Sequence, residues 1–457
     1  MNTEIALSLS LTGALVGLAY SARRSFAGAH LLALGAFCAG LPVLKASFGG
    51  ESWPTGDEVL WYSYGAIGLY ALFVFLGSYV LRDRALAQTA RWLRTVNPSG
   101  RTVVVALFAI LVLWALRLYK AASYGILFSG SGTEDAVRSL PYWLSTLASL
   151  TEFLGGGAML ALILAAARGR TPLILAIPAV GLPWALLSGG RREAIVLSVA
   201  VAWVIWRSGL MRPRWVASGL ALGLALTYLL TPMFLLARNI NAAYLQRGVT
   251  PFEAFQNALV DGYSQCGISL KCAELTRANV TLRGNAMEFL KSVVTAERAG
   301  FQELGGAAAL NTVKWALPSI LGAKPELMTE QYVQSALGLP IGDDAISVPL
   351  VAYADMGLLG CAIAGTGVAV YLSSVGWLAF VRRNELLLLS LAFGAFRVAW
   401  NIEEDPVVYL TLLRDAVIVA LVMWGLDRML VRHSLSTSGF RFSRQRRQSD
   451  LSDANSS

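Results

Sequence analysis

Six consecutive residues, Ser188-Gly189-Gly190-Arg191-Arg192-Glu193, join two apolar runs, Thr171 to Leu187 and Ala194 to Trp206. Both runs read as membrane helices, so the six residues form the tip of a tight helical hairpin. The run after the tip is shorter than the roughly 20 residues a spanning helix needs. The helix must therefore begin at the tip, with Arg191 and Arg192 at or below the headgroups. A helix N-terminus offers unpaired backbone N–H groups and the positive end of a dipole. Gly189 and Gly190 let that backbone approach a ligand closely, and two guanidinium forks match phosphate oxygens. The chemistry this suits is the holding of a lipid diphosphate by Ser188, Gly189, Gly190, Arg191 and Arg192. The plainer reading is a pair of snorkelling arginines that anchor the hairpin, a role that does not call for the glycines.

Positioning such a tip takes a membrane scaffold, and the composition supplies one. The chain has 457 residues, of which 56% are hydrophobic and 14% charged. This fits an all-α polytopic membrane protein and excludes an ordinary soluble domain. The net charge of +9 does not indicate nucleic-acid binding, because the excess lies mostly in connections between spans. About eleven spans are expected from length and flanking charge: 3–20, 29–44, 59–81, 102–119, 140–167, 171–187, 190–206, 215–236, 346–373, 385–400 and 407–426. Every second connection is arginine-rich: Arg23 and Arg24, Arg82 to Arg101, Arg168 and Arg170, Arg207 to Arg214, Arg382 and Arg383. Placing these inside puts the N-terminus out, the C-terminus in, and the 188–193 tip on the outer face. Met1-Asn2-Thr3-Glu4 lacks a basic n-region, so no cleavable signal peptide is expected.

The chain then divides into an N-terminal bundle of about 8 helices, 1–237, a large outer (periplasmic) loop, 238–345, about 3 further helices, 346–427, and a basic disordered cytoplasmic tail, 428–457. Within the loop, Pro251 opens one expected helix. Asn285 to Phe301 reads as an amphipathic helix able to lie on the membrane surface, and Thr312 to Leu321 as another segment of that kind. The loop is either a small domain capping the bundle or a lid over a lipid-linked substrate. Cys266 and Cys272 lie in it, where a disulfide can form, whereas Cys38 and Cys361 read as core residues.

Ionisable residues inside spans are functional candidates. Arg117, Arg238, Asp355, Arg397, Arg414 and Asp415 are expected in the outer half, with Glu152 near mid-membrane and Glu403, Glu404 and Asp405 as an outer turn. That shared level suggests one outward polar cavity. The alternative is a set of structural ion pairs, for example Asp355 with Arg397 or Arg414.

A Ser-Gly-x-Arg tip at a short outer hairpin, an arginine opening one large late loop, Leu317-Pro318…Lys324-Pro325, and Ser347…Tyr353-Ala354-Asp355-Met356-Gly357-Leu358-Leu359-Gly360 at its end resemble the O-antigen polymerase (Wzy-like) family of oligosaccharide repeat-unit polymerases. The resemblance covers the pattern of most of the chain through short motifs. It implies metal-independent glycosyl transfer without a cofactor, at the outer face of the bacterial inner membrane. The substrate would be an oligosaccharide on undecaprenyl diphosphate, and chain-length regulators and flippases would be partners. On that resemblance Arg191, Arg192 and Arg238 match the family's basic positions; Arg397, expected near the same surface level, is a further candidate for holding the diphosphate. An acceptor hydroxyl needs a proton acceptor. With His30 and His433 both expected inside, a carboxylate must serve: Glu193, Asp344, Glu403 or Glu404. Two rivals stand. An O-antigen ligase shares the architecture but carries a histidine in the outer loop, absent here. A lipid-linked sugar transporter would want discontinuous helices and mid-membrane charge, to which Glu152 and Gly155-Gly156-Gly157 lend some support.

Overall fold

The computed structural model describes residues 3–40, 56–124, 141–168, 196–209, 211–267, 272, 286–317, 325–339, 346–381, 385–400, 402 and 405–422. Among them regular structure is helical and no strand occurs. Among the described residues, six helices are long and apolar enough to cross a membrane. Here they are α1 (Thr3–Ser21), α3 (Asp57–Val80), α5 (Gly100–Tyr124), α6 (Tyr142–Ala167), α8 (Pro213–Gln246) and the first part of α13 (Val348–Val381). Two shorter apolar helices accompany them: α2 (Phe26–Leu34), which continues as a π turn Gly35–Gly40, and α7 (Val196–Arg207). Large apolar side chains face outward along single stripes. On α5, Val104, Phe108 and Leu111 are all more than half exposed, a face suited to lipid.

α4 (Ala85–Thr95) was not anticipated from the arginine-rich connection after the third span. It buries Ala85, Thr89, Ala90 and Leu93 and turns Arg91 and Arg94 outward. Ala87 N–H donates to Arg24 O at 3.0 Å. At the other end of α4, Arg168 donates to Arg94 O at 2.6 Å, a cation on a helix C-terminus. These bonds lay α4 across the basic end of the bundle.

The loop helices gather at the opposite end: α9 (Pro251–Cys266), α10 (Ala286–Arg298), α11 (Ala307–Ala316) and α12 (Thr329–Ala336). α9 begins where expected, with Thr250 as N-cap and Pro251 in its first turn. It folds back along α8, and Gly262 packs so closely that a Cβ there would stand 2.9 Å from that of Ala237. α10 differs from the expected surface helix. Nine of its 13 residues are buried, including Glu288 and Lys291. The Lys291 ammonium bonds the Glu4 carboxylate at the start of α1 and stands 3.8 Å from Glu288. The reason is burial area: Met287, Phe289, Leu290, Val293 and Val294 all find protein partners in the main core.

α11 runs 307–316, displaced from the expected 312–321. Gly305 and Gly306 both adopt positive φ before it, and Leu317 turns extended ahead of Pro318. Its first turn is capped from far away: the Asp355 carboxylate accepts from Ala308 N at 2.9 Å and Ala309 N at 2.7 Å. Asp355 can reach because α13 breaks at Met356 and at Gly357, whose φ is +56°. Carbonyls of Ala354 and Asp355 then accept from Leu304 N and Gly305 N at 2.9 and 2.8 Å. Gly357 and Gly360 thus open the longer segment of α13, and Asp355 serves as the joint between loop and bundle rather than as a partner of Arg397 or Arg414.

The last two helices depart most from expectation. α14 (Glu385–Trp400) buries 13 of its 16 residues. Glu385 accepts from Ser99 N at 2.9 Å, just before α5 begins. Near the far end of α14 the Phe396 ring lies 5.5 Å from that of Trp203, one turn from Arg207. Both ends therefore touch the basic half of neighbouring helices, so α14 lies obliquely inside the bundle instead of crossing it. α15 (407–422) starts from there. Asp405 Oδ1 caps it through Val407 N at 2.8 Å, and the Tyr409 ring lies 5.8 Å from that of Tyr371 on α13. Further along, Asp415 bonds Ser149 near the start of α6, and Arg414 reaches the loop. α15 thus points from the interior toward the loop end, opposite to the expected direction of the eleventh span. Asp405 belongs to an interior junction, not to an outer turn. The tail beyond 422 lies outside the described residues.

Candidate functional site

Of the candidate residues, Ser188, Gly189, Gly190, Arg191, Arg192 and Glu193 lie outside the described residues, as do Asp344, Glu403 and Glu404. Arg238 and Arg397 are described, and the structure assigns them to different places. Arg238 follows Ala237, against α9 at the loop end, and is half-buried. Among the described residues it has no carboxylate partner within salt-bridge distance. Arg397 follows Phe396, beside Trp203 in the basic half. The expected shared level of these two arginines came from reading 385–400 as a perpendicular span, which the oblique course of α14 overturns.

Four of the other in-span charges do converge. Arg117 on α5 stands 3.8 Å from Glu152 on α6. One turn before Glu152, Ser149 takes part in a second group with Asp415 and Arg414 of α15. The Ser149 hydroxyl donates to Asp415 Oδ2. Arg414 donates through Nε to Asp415 Oδ1 at 2.8 Å, through Nη2 to Ser149 Oγ at 2.9 Å, and through Nη1 to Ala316 O at 2.9 Å. Ala316 is the last residue of α11, so one guanidinium ties α6 and α15 to the C-terminal carbonyl of a loop helix. Every nitrogen of Arg414 is engaged, which makes this group a clamp rather than a ligand site.

The Arg117–Glu152 pair is different. It is loose, and the Glu152 side chain is 35% exposed while that of Arg117 is 9% exposed. An accessible carboxylate beside a guanidinium can accept a proton from a hydroxyl and keep an anion nearby. From sequence, Glu152 was read as a mid-membrane charge favouring transport and not as a proton acceptor. The missed signal is the spacing of Ser149 and Glu152, one helical turn apart on one face. With Asp355, Arg414 and the buried Glu4–Lys291–Glu288 group, this makes the loop end the polar end of the bundle interior.

His30 is a core residue. It is 1% exposed, and its Nε2 shares a 2.8 Å hydrogen bond with Tyr70.

In the loop, Cys266 and Cys272 are joined as a disulfide, while Cys38 and Cys361 are free and buried. Alkylation of the native, unreduced protein should label none of the four. Mild reduction should expose two thiols, which peptide mapping should place at Cys266 and Cys272. Labelling of both without reduction would show that the bond does not form.

No protein-family model, curated protein or solved structure matches this chain.

Proposed function

We propose that this chain polymerises oligosaccharide repeat units carried on undecaprenyl diphosphate, at the outer face of a bacterial inner membrane. The observation that carries the reading is the loop end itself. Four loop helices dock there on a bundle whose interior holds an accessible carboxylate–guanidinium pair, Glu152 and Arg117, beneath a clamp joining loop and membrane helices. The resemblance of the 188–193 tip and the Tyr353–Gly360 stretch to repeat-unit polymerases supports it. The Cys266–Cys272 bond supports an outer placement of the loop, because disulfides persist in oxidising compartments.

In the reaction, an acceptor sugar hydroxyl attacks the anomeric carbon of the donor glycan. The bond to the diphosphate breaks and lipid diphosphate leaves with the electron pair. Arg191, Arg192 and Arg238 hold that diphosphate and stabilise its charge. A carboxylate takes the hydroxyl proton, and Glu152 joins Glu193, Asp344, Glu403 and Glu404 as a candidate for that step. Chain-length regulators and a flippase would be partners in the same membrane.

The test is Arg191→Ala in the producing cell, read by glycan gel and lipid extraction. Long chains should disappear while single repeat units remain on lipid and the protein stays at its normal level in the membrane. Polymer of normal length in that strain would sink the reading. A second reading, transport of the lipid-linked unit, draws on the oblique α14 and its interior junction with α15, since discontinuous helices line many transport sites. It predicts that loss of the protein leaves lipid-linked units on the inner side.

A further inference from the structure

The basic end of the bundle carries a second site, independent of the glycosyl-transfer reading. A pocket of about 300 Å³ is lined there by Arg23, Arg24, Arg91, Arg94 and Arg207, with Leu86, Ala87 and Ala90. Arg23, Leu86 and Arg207 also line the adjoining groove, a cavity of about 600 Å³. That groove is apolar. Its walls include Leu32, Trp203, Trp206, Leu220, Phe396 and Trp400.

The five arginines come from three parts of the fold. Arg23 and Arg24 lie in the turn between α1 and α2, Arg91 and Arg94 one helical turn apart on α4, and Arg207 at the end of α7. The bond from Ala87 N to Arg24 O and the Arg168 cap hold α4 over the turn. None of the five has a carboxylate within salt-bridge distance among the described residues. Arg23 and Arg207 lie flat on the rings of Tyr20 and Trp206, each with its guanidinium carbon 4.4 Å from the ring centroid. Arg23 also donates through Nη1 to Tyr20 O at 3.2 Å, which leaves its other N–H groups toward the pocket. Arg207 Nε is buried and, among the described residues, has no hydrogen-bond partner, which costs stability unless an acceptor meets it. Five positive charges without a carboxylate partner among the described residues, gathered around one small cavity, likewise favour an anion there. The basic residues of a connection between spans ordinarily splay into water; here α4 folds back so that five arginines, four of them exposed, rim one pocket that adjoins an apolar groove.

The geometry points to a binding site for an anionic phospholipid, with its phosphate among the five arginines and an acyl chain in the groove between α1, α2, α7, α8 and α14. A basic pocket continuous with an apolar groove recognises this class of molecule through both of its parts. The charge favours a phosphate over a zwitterionic headgroup, and the groove favours a chain-bearing lipid over free phosphate.

Full-length protein in mild detergent, titrated with dioleoyl phosphatidylglycerol and read by native mass spectrometry, tests it. Binding should exceed that of dioleoyl phosphatidylcholine. The double substitution Arg91→Gln with Arg94→Gln changes two exposed side chains, so folding should be unaffected. It should weaken phosphatidylglycerol binding about thirtyfold. Ala217→Trp, on the exposed groove wall of α8, should weaken binding of the long-chain lipid while leaving retention of soluble glycerol phosphate unchanged. Equal binding of the two lipids, or wild-type binding by both variants, would overturn the proposal. So would competition by glycerol phosphate at concentrations matching the lipid, because the groove would then contribute nothing.

Discussion

Lys291→Met should lower the unfolding temperature of the detergent-solubilised protein more than any exposed substitution in the loop. The Lys291 side chain is 2% exposed, and its ammonium is bound by the carboxylates of Glu4 and Glu288, themselves 10% and 6% exposed. Methionine fills most of the same volume, so the loss is electrical rather than steric. It leaves two carboxylates in a low-dielectric interior without the cation they share. Breaking a buried pair in this way costs about 3–5 kcal/mol. Because Glu4 opens α1 and Glu288 and Lys291 belong to α10, the damage should fall on the docking of the loop. Limited proteolysis should then cut near residues 286–298, whose burial should protect them in the parent. Adding Glu4→Gln and Glu288→Gln to Lys291→Met removes the stranded charges and should recover most of the lost stability. A decrease within ~0.5 kcal/mol for Lys291→Met alone, the range of surface changes, would show that water reaches this group.

The same helix shows where sequence reading stops. The alternation of Met287, Phe289, Leu290, Val293 and Val294 with charges is equally good for a helix floating on lipid and for one capping a bundle. Periodicity identifies an apolar face but not the partner that covers it. The telling feature was Glu288 and Lys291 falling among the apolar residues, where solvated charges would be misplaced. Span limits were legible because hydrophobic length is a local property: 3–20 against Thr3–Ser21, 59–81 against Asp57–Val80, 140–167 against Tyr142–Ala167. The orientation of α14 was not. Hydropathy scores a helix buried in protein and a helix crossing lipid alike, and 385–400 matches its observed limits while its direction was misjudged. The start of α11 was hidden for another reason. Its cap, Asp355, lies 47 residues further along the chain, so no local N-cap signal marks it.

Of the charges expected inside the spans, Arg117, Glu152, Arg414 and Asp415 fall near one another, whereas Arg397 does not join them and Asp355 caps α11 instead of pairing with Arg397 or Arg414. Asp355 and Arg414 are each spent on a backbone end of α11, the carboxylate on its N-terminal N–H groups and the guanidinium on its C-terminal carbonyl. Both contacts have the sign the helix dipole prefers. One short loop helix is thereby fixed to α13 and α15 at opposite ends. That arrangement holds the loop end in one geometry and leaves Glu152 as the carboxylate of the network with an open edge.

Gly157→Ala should be among the most damaging single-methyl additions in the bundle. Gly155-Gly156-Gly157, which sequence reading set beside discontinuous transporter helices, lies within an unbroken α6. The run serves close packing instead. A Cβ at Gly157 would stand 2.1 Å from Ser390 Oγ, 2.4 Å from Ser390 N and 2.6 Å from Ser390 Cα. The hydroxyl can rotate away, but the backbone N and Cα of α14 cannot. α6 and α14 must separate, and the buried leucines and phenylalanines of α14 lose contacts along the whole crossing. Overpacking of this kind costs about 1–3 kcal/mol or more, and small residues at membrane helix crossings exist to permit such approach. Gly219→Ala on α8 supplies the contrast, because nothing lies within 4 Å of a Cβ there. That change should be neutral or stabilise by up to ~1 kcal/mol through helix propensity. Thermal unfolding of the two variants side by side decides the matter: if Gly157→Ala unfolds no earlier than Gly219→Ala, α14 does not cross α6 at Ser390, and the oblique course of α14 falls with it.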